Sequence, residues 1–270
     1  MDRSATQAEG NMQYGDIELT KDGHVATLEI QRGPNNFFDV DLINDMASAF
    51  EDMDNDDDCR AIVLCSEGKH FCAGNNFSQP RSPAEEIARS AGGNPLYAAA
   101  VRLFDAKKPV IAAVQGAAVG GGFGLAVMAD FRVVCPEARF TANFVKLGFH
   151  PGFGLTDTLP RIIGQQRANL MFLSGRRING ETAYEWGLAE VLTDRENLRA
   201  EAQKLAAEIA ENAPLALKSV RATMRGHMAE AVQTATDHEA VEQARLQKTE
   251  DHKEGVRAVA ERRVGNFVGR

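Results

Sequence analysis

The sequence predicts an α/β fold in which a parallel sheet is crossed by helices over residues 15–195, followed by a helical C-terminal section over residues 196–270. Three observations carry this. The runs Ala61–Cys65, Pro109–Val114 and Phe131–Cys135 are short and apolar without alternation, as expected of strands buried on both faces. Helical patterns separate them, which implies parallel pairing through right-handed crossovers. Beyond Gly164 the strand signal fades and helical periodicity continues to the end.

Taken in order, residues 1–14 are polar, carry Asp2 and Glu9, and read as a flexible tail with none of the apolar run of a signal peptide. Ile17–Thr20 and His24–Gln31 read as strands joined by an Asp22-Gly23 turn. Asp39 is placed to cap a helix reaching Met53, with Leu42, Ile43, Met46 and Phe50 on one face. The acidic run Glu51–Asp58 lacks the spaced ligands and glycine of a calcium loop, so it reads as a solvated helix end. The stretch Arg81–Asp105 reads as partly helical, broken near Gly92-Gly93 and Pro95, and able to move. After the strand Pro109–Val114 a glycine-rich loop opens a helix to Met128. Helices are then expected at Gln165–Leu173, Gly180–Trp186, Arg195–Asn212, Pro214–His227 and Ala229–Leu246.

The chain has 270 residues, enough for one α/β domain with a sizeable core. Its longest apolar stretches, Val110–Val114 and Ala117–Ala129, fall short of the roughly 20 residues of a membrane span. A net charge of -8 argues against nucleic acid as a partner, because phosphate binding needs a basic face. Cys59, Cys65, Cys72 and Cys135 form no CxxC pair and no metal-ligand spacing; buried thiols in a reducing cytoplasm are expected, with no metal and no separate cofactor.

Two loops carry the chemistry. Lys69–Phe77 and Gln115–Gly124 each follow a strand, where α/β proteins present backbone N–H groups to ligands at the carboxyl edge of the sheet. The second also opens a helix, whose positive end favours an anion. It has neither the Gly-Lys-Ser/Thr ending of a P-loop nor the spacing of a dinucleotide fingerprint. The residues alone leave two readings open, an anion or oxyanion site and tight structural packing.

The motifs resemble those of the crotonase superfamily, the enoyl-CoA hydratase/isomerase family, over nearly the whole chain. Phe71-Cys72-Ala73-Gly74-Asn75 is similar to its F-x-A-G-x loop, and Gly116–Gly122 to its G-x-x-x-G-G-G helix start. Leu147–Gly154 is similar to L-G-x-x-P-G-x-G, and Leu159–Gly164, Gly180–Ala183 and Asn212-Ala213-Pro214 continue in register. The resemblance implies a crotonase-like fold, ββα repeats forming a spiral core, and a thioester site. It implies that the backbone N–H groups of Asn75 and Gly121 form an oxyanion hole for an acyl-CoA carbonyl. It assigns Asn35, Asn36, Phe38, Ala73, Asn76 and Gly120 to the CoA and acyl path, with Gly124, Phe144, Pro151 and Gly152 around the reacting carbons. Coenzyme A enters only as part of the substrate, and a homotrimer or dimer of trimers is implied, with C-terminal helices serving oligomerisation or as a lid.

The chain departs from that family at the two positions that carry its usual glutamates, which here are Gly124 and Phe144. Neither can move a proton. His150 and Asp157 are the candidate replacements, His150 because an imidazole titrates near neutrality. Each also has a purely structural reading, as a loop histidine and a helix-surface carboxylate. His70, Thr141 and Asn143 are placed for structure or water orientation, and Phe144 for an apolar wall. Lys69, Arg81, Lys107, Lys108 and Arg262-Arg263 are the candidate cations for CoA phosphates. Two functions are expected: a lyase or isomerase acting on an acyl-CoA with non-standard acid/base groups and little ordinary hydratase activity, or a catalytically silent acyl-CoA binder.

Overall fold

A computed structural model describes residues 11–76 and 94–270. Met12–Tyr14 (β1), Ile17–Asp22 (β2) and Val25–Ile30 (β3) form an antiparallel meander, so the last residues assigned to the tail are an edge strand. Helix α1, Val40–Asn55, starts where Asp39 accepts a hydrogen bond from Leu42 N. Strand β4, Ala61–Ser66, pairs parallel with β3. Helix α2, Pro95–Phe104, follows; the expected break near Gly92-Gly93 and the mobility of this stretch lie outside the described residues.

Strand β5, Val110–Val114, is followed at once by β6, Ala117–Val119, and by α3, Gly121–Met128. Strands β7, Phe131–Val134, and β8, Arg139–Thr141, lead into a 3-10 turn, Asn143–Leu147. A unit of two strands and a helix therefore recurs, as the crotonase-like reading requires. Its first strands join a seven-stranded sheet in the order β1-β2-β3-β4-β5-β7-β10, where β10 is Val191–Leu192, while β6 and β8 join a small sheet with β9, Arg177–Asn179.

The continuous apolar runs are explained by burial on both faces. Ile62 and Leu64 of β4 face the main core with Leu42, Met46 and Phe50 of α1. Ala61, Val63 and Cys65 face the opposite way, with Ile111, Ala113 and Val133. That second face is covered by Leu198, Ala202, Ala206 and Ala210, a stripe at fourfold spacing on the helix Leu198–Ala210. Small side chains there let the helix approach the sheet closely.

After the 3-10 turn come α4 (Leu155–Ile163), α5 (Gln165–Ser174), β9 (Arg177–Asn179), α6 (Gly180–Glu185) and β10 (Val191–Leu192). Helices α7 (Leu198–Ala210), α8 (Pro214–Arg225), α9 (Met228–Leu246) and α10 (Glu250–Ala260) complete the chain. Strands β1, β6, β8, β9 and β10 and helix α10 are absent from the sequence reading. The strands are three or two residues long, too short for a periodic signal. Residues beyond α10 fold back onto it: Val268 and Gly269 N–H donate to the Asp251 carboxylate, and Asn266 N–H to Glu254. Among the described residues no helix is long and apolar enough to cross a membrane.

Candidate functional site

The two glycine-bearing loops meet at the carboxyl edge of the main sheet. Cys72 N–H donates to Ala117 O and Val119 N–H to Cys72 O, both at 3.0 Å, which lashes the first loop to β6. On its other side the first loop is held by Phe38 N–H donating to Gly74 O (3.0 Å) and Ala73 N–H to Asn35 O (2.9 Å). Glycine is needed at Gly120, whose φ of 56° lies in the left-handed region. It is needed at Gly122 for a different reason: a Cβ there would lie 2.1 Å from Cys72 O. The glycines thus serve close packing and a sharp strand-to-helix turn, as the packing reading expects.

Beside this clamp, the main-chain N–H groups of Asn75 and Gly121 have no acceptor among the described residues. Gly121 is the first residue of α3, where N–H groups have no partner within the helix. Asn75 N–H likewise donates to no acceptor among the described residues. Both residues line one cavity of about 290 Å³. Phe38 wedges against this edge, with ring carbon Cζ 2.3 Å from where a Gly121 Cβ would stand.

The cavity walls are largely apolar. Phe144 meets Phe149 edge-on at 5.6 Å, and Phe149 meets His252 at 5.2 Å. Phe37 and Phe38 contribute from the turn before α1, and Val259 of α10 closes the wall from the far end of the chain. The polar lining consists of Asn75, Asn76, Tyr97, Asn143, Gln243 and Gln247; among the described residues no charged side chain lines this cavity.

Of the residues expected at the site, Phe38, Ala73, Asn75, Asn76, Gly120, Gly121 and Phe144 are brought together here. Asn35 and Asn36 are not among the lining residues. Asn36 is fully buried and spends its side chain on the backbone, accepting from Arg32 N and donating to Glu67 O and His70 O. It braces the loop and does not face ligand.

Gly124 also departs from expectation, for a reason of packing. A Cβ on Gly124 would meet the Phe153 side chain, and Phe153 is fully buried against Phe38 with ring centroids 5.5 Å apart. Phe153 itself holds a left-handed φ of 64°, a conformation that costs on the order of 1 kcal/mol for a non-glycine residue. Pro151 and Gly152 are buried behind the wall, Gly152 directly beneath the Tyr97 hydroxyl.

Both candidate acid/base groups stand outside the cavity lining. His150 Nδ1 lies 2.9 Å from Pro151 O, its ring packs edge-on against His238 at 5.6 Å, and its carbonyl accepts from Gln243. Asp157 is in the first turn of α4 and receives Nε and Nη2 of Arg161 one turn on, at 2.7 and 2.9 Å. His70 likewise serves the loop, its Nδ1 accepting from Ala117 N at 3.3 Å; burial, with Lys69 and Arg195 nearby, holds its pKa below the usual value. Thr141 Oγ1 donates to Arg176 O, whereas Asn143 reaches the cavity.

Among the candidate phosphate-binding cations, Lys108 is buried and donates to the carbonyls of Asp56 and Cys59. Arg263 is paired with Glu254 and Glu261. Lys69 and Lys107 are exposed, and Arg81 lies outside the described residues. All four cysteines are buried without disulfides, and burial pushes the Cys72 thiol up to about 12. Among the described residues no cluster of His, Cys, Asp or Glu is arranged to hold a metal.

The lining residues missed by the sequence reading come from distant helices: Leu96 and Tyr97 from α2, Gln243 from α9, Gln247 just after it, and Val259 from α10. Nothing local marks them. They become site residues only because those helices fold over the sheet edge.

Comparison with known proteins gives a consistent answer. A family model described as enoyl-CoA hydratase/isomerase matches residues 20–270. The chain is 32% identical over 253 residues to a 1,2-epoxyphenylacetyl-CoA isomerase of Escherichia coli, covering 91% of this chain and 95% of that protein. It is 33% identical over 264 residues to a crotonyl-CoA hydratase of Syntrophomonas wolfei, covering 96% of this chain and all (100%) of that protein. Among solved structures, an enoyl-CoA hydratase/isomerase from Pseudoalteromonas atlantica superposes with a TM-score of 0.84 at 29% identity, covering 94% of this chain and 100% of that one.

Proposed function

The chain belongs to the enoyl-CoA hydratase/isomerase family, and from that premise we propose that it binds an acyl-CoA thioester with the carbonyl oxygen between Asn75 N–H and Gly121 N–H. The observation that carries this reading is the pair of donors with no acceptor among the described residues, held by two cross-braced loops at the edge of an apolar cavity. Such donors stabilise the enolate formed when a proton leaves or joins the carbon beside a thioester, by roughly 3–4 kcal/mol each. Main-chain groups pinned at both ends need no reorganisation during the reaction.

The reaction is of the lyase or isomerase type, a proton shift beside the carbonyl. Ordinary hydration of crotonyl-CoA is weak, since general acid–base catalysis contributes roughly 10²–10⁴-fold and neither family glutamate is present. The acyl group is apolar or aromatic, which the walls of Phe37, Phe144 and Phe149 support. Two relatives whose names contain a CoA thioester fit that reading.

A second reading, a silent acyl-CoA binder, is favoured by one observation: no carboxylate or imidazole lines the cavity among the described residues. In either case assembly into trimers is proposed. Helix α8 has no buried residue and exposes Val220 and Met224 one turn apart on one side, a face suited to cover by another copy.

The test is calorimetric titration of the full chain with butanoyl-CoA, phenylacetyl-CoA and free coenzyme A, followed by a turnover screen over enoyl-, hydroxy- and epoxyacyl-CoA thioesters. Thioesters binding more tightly than coenzyme A support the thioester site; absence of binding by every thioester overturns it. Binding without turnover across the screen selects the silent binder.

A further inference from the structure

We propose that Asn143 is a specificity-determining residue of the pocket, its carboxamide recognising an uncharged oxygen that the acyl group carries close to the thioester carbonyl. This rests on the acyl-CoA reading and names the substrate class within it. The fold brings Asn143 to the cradle by a short route. Strand β8 pairs parallel with β6 in the register Val119↔Thr141, and Gly120 N–H donates to Thr141 O at 2.9 Å. Two residues beyond Thr141, Asn143 opens the 3-10 turn and lines the same cavity as Asn75, Gly120 and Gly121. Its amide tip faces Gly120, the residue before the donor Gly121: a β-carbon built on Gly120 would lie 3.9 Å from Asn143 Oδ1 and 3.6 Å from Phe144 Cζ.

That amide is uncommitted. An asparagine near the start of a turn commonly bonds to the backbone, as Asn179 does in accepting from Thr182 N. The Asn143 side chain is half-buried and makes no hydrogen bond with any described residue. Gln243, by contrast, has its Nε2 committed to His150 O. In a lining that is otherwise largely apolar, a plain hydrocarbon chain passing Asn143 strips water from the carboxamide and returns no hydrogen bond. A hydroxyl meets it in either sense, donating to the amide oxygen or accepting from the amide nitrogen, and a carbonyl or ether oxygen accepts from the nitrogen. Because Gly120 adjoins Gly121, the oxygen so recognised belongs on the second or third carbon, counting the thioester carbonyl as the first. The far end of the acyl chain is out of its reach.

The experiment measures dissociation constants of the full chain for butanoyl-CoA, both enantiomers of 2- and 3-hydroxybutanoyl-CoA, and 4-hydroxybutanoyl-CoA, in wild type, Asn143→Leu and Asn143→Ala. At least one 2- or 3-hydroxy thioester is expected to bind about three- to tenfold more tightly than butanoyl-CoA, the worth of one neutral hydrogen bond. The 4-hydroxy thioester is expected to gain less than about twofold. In Asn143→Leu, which keeps the bulk of the side chain, the hydroxy-to-plain ratio falls to near one, and Asn143→Ala gives the same result without the branched apolar tip. A ratio of two affinities within one variant is a readout that a merely structural role would not move. Equal affinities in wild type, a preference for the 4-hydroxy thioester alone, or a ratio that survives in either variant overturns the inference while leaving thioester binding standing. If no thioester of the panel binds, the acyl-CoA reading fails and the inference goes with it.

Discussion

A β-carbon on Gly124 would stand 2.6 Å from Cδ1 of the Phe153 ring, so the place where the family resemblance leads one to expect a glutamate is already filled by an aromatic side chain. The loss at Gly124 and the bulk at Phe153 are two sides of one packing arrangement. Phe153 is fully buried, touching Phe38 and, at 6.5 Å between centroids, Phe104.

Gly124→Glu therefore does not restore an acid/base group. It overpacks the core and buries a carboxylate, and a loss of about 3 kcal/mol or more is expected in urea unfolding. Phe153→Ala is costly alone, but the two changes couple: the double variant is expected to be at least about 1 kcal/mol more stable than the single losses sum to. Strict additivity would show that the ring and the position are independent.

The role proposed for Asn75 runs through its backbone, so its side chain and its N–H separate cleanly by substitution. Asn75→Pro removes the donor while sparing the Phe38 N–H bond to Gly74 O. It is expected to weaken thioester binding or turnover at least about tenfold more than Asn75→Ala does. Equal losses in the two variants would transfer the role to the side chain.

His150 and Asp157 stand outside the cavity, and their substitution tests the geometry directly. His150→Ala and Asp157→Asn are each expected to stay within about threefold of wild type on any acyl-CoA that is turned over. Asp157→Asn breaks a partly exposed pair with Arg161 and should cost no more than about 1 kcal/mol of stability. Abolished turnover with binding retained in His150→Ala would reinstate the imidazole as a proton carrier.

Glu254 supplies a pH signature. Arg263, the Asn266 N–H and Arg257 hold its carboxyl well below the ordinary value of 4.5. A depressed carboxylate pKa means the unfolded chain binds the proton more readily, so the stabilisation is complete above 4.5 and fades as pH falls below it. Melting temperatures of wild type and Glu254→Gln are expected to differ most at neutral pH and to converge in acid. A gap that widens in acid would mean the shift runs the other way.

Much of the fold was legible because its signals are local. Asp39 caps α1 with the bond that its position before an apolar stripe implies, and the unbroken apolar run of β4 marks a strand buried on both faces. The close approach of the two loops was legible too, since it is written in glycines. The walls were not. Tyr97, Gln243 and Val259 share no motif, and only the fold brings their helices to the sheet edge. His150 and Asp157 misled for the complementary reason: a titratable residue near a motif can face either way, and hydrogen bonds to Pro151 O and Arg161 settle where these two point.

The donors of the cradle are main-chain groups, and this divides the site into parts with different histories open to them. A substitution at residue 75 other than proline changes a side chain and keeps the amide N–H, so most mutations would pass over the proposed thioester grip without touching it. The groups that would decide a reaction are side chains on the walls, each replaceable by a single codon change. A lineage built on such a scaffold can discard one chemistry and take up another while its hold on the ligand continues unbroken.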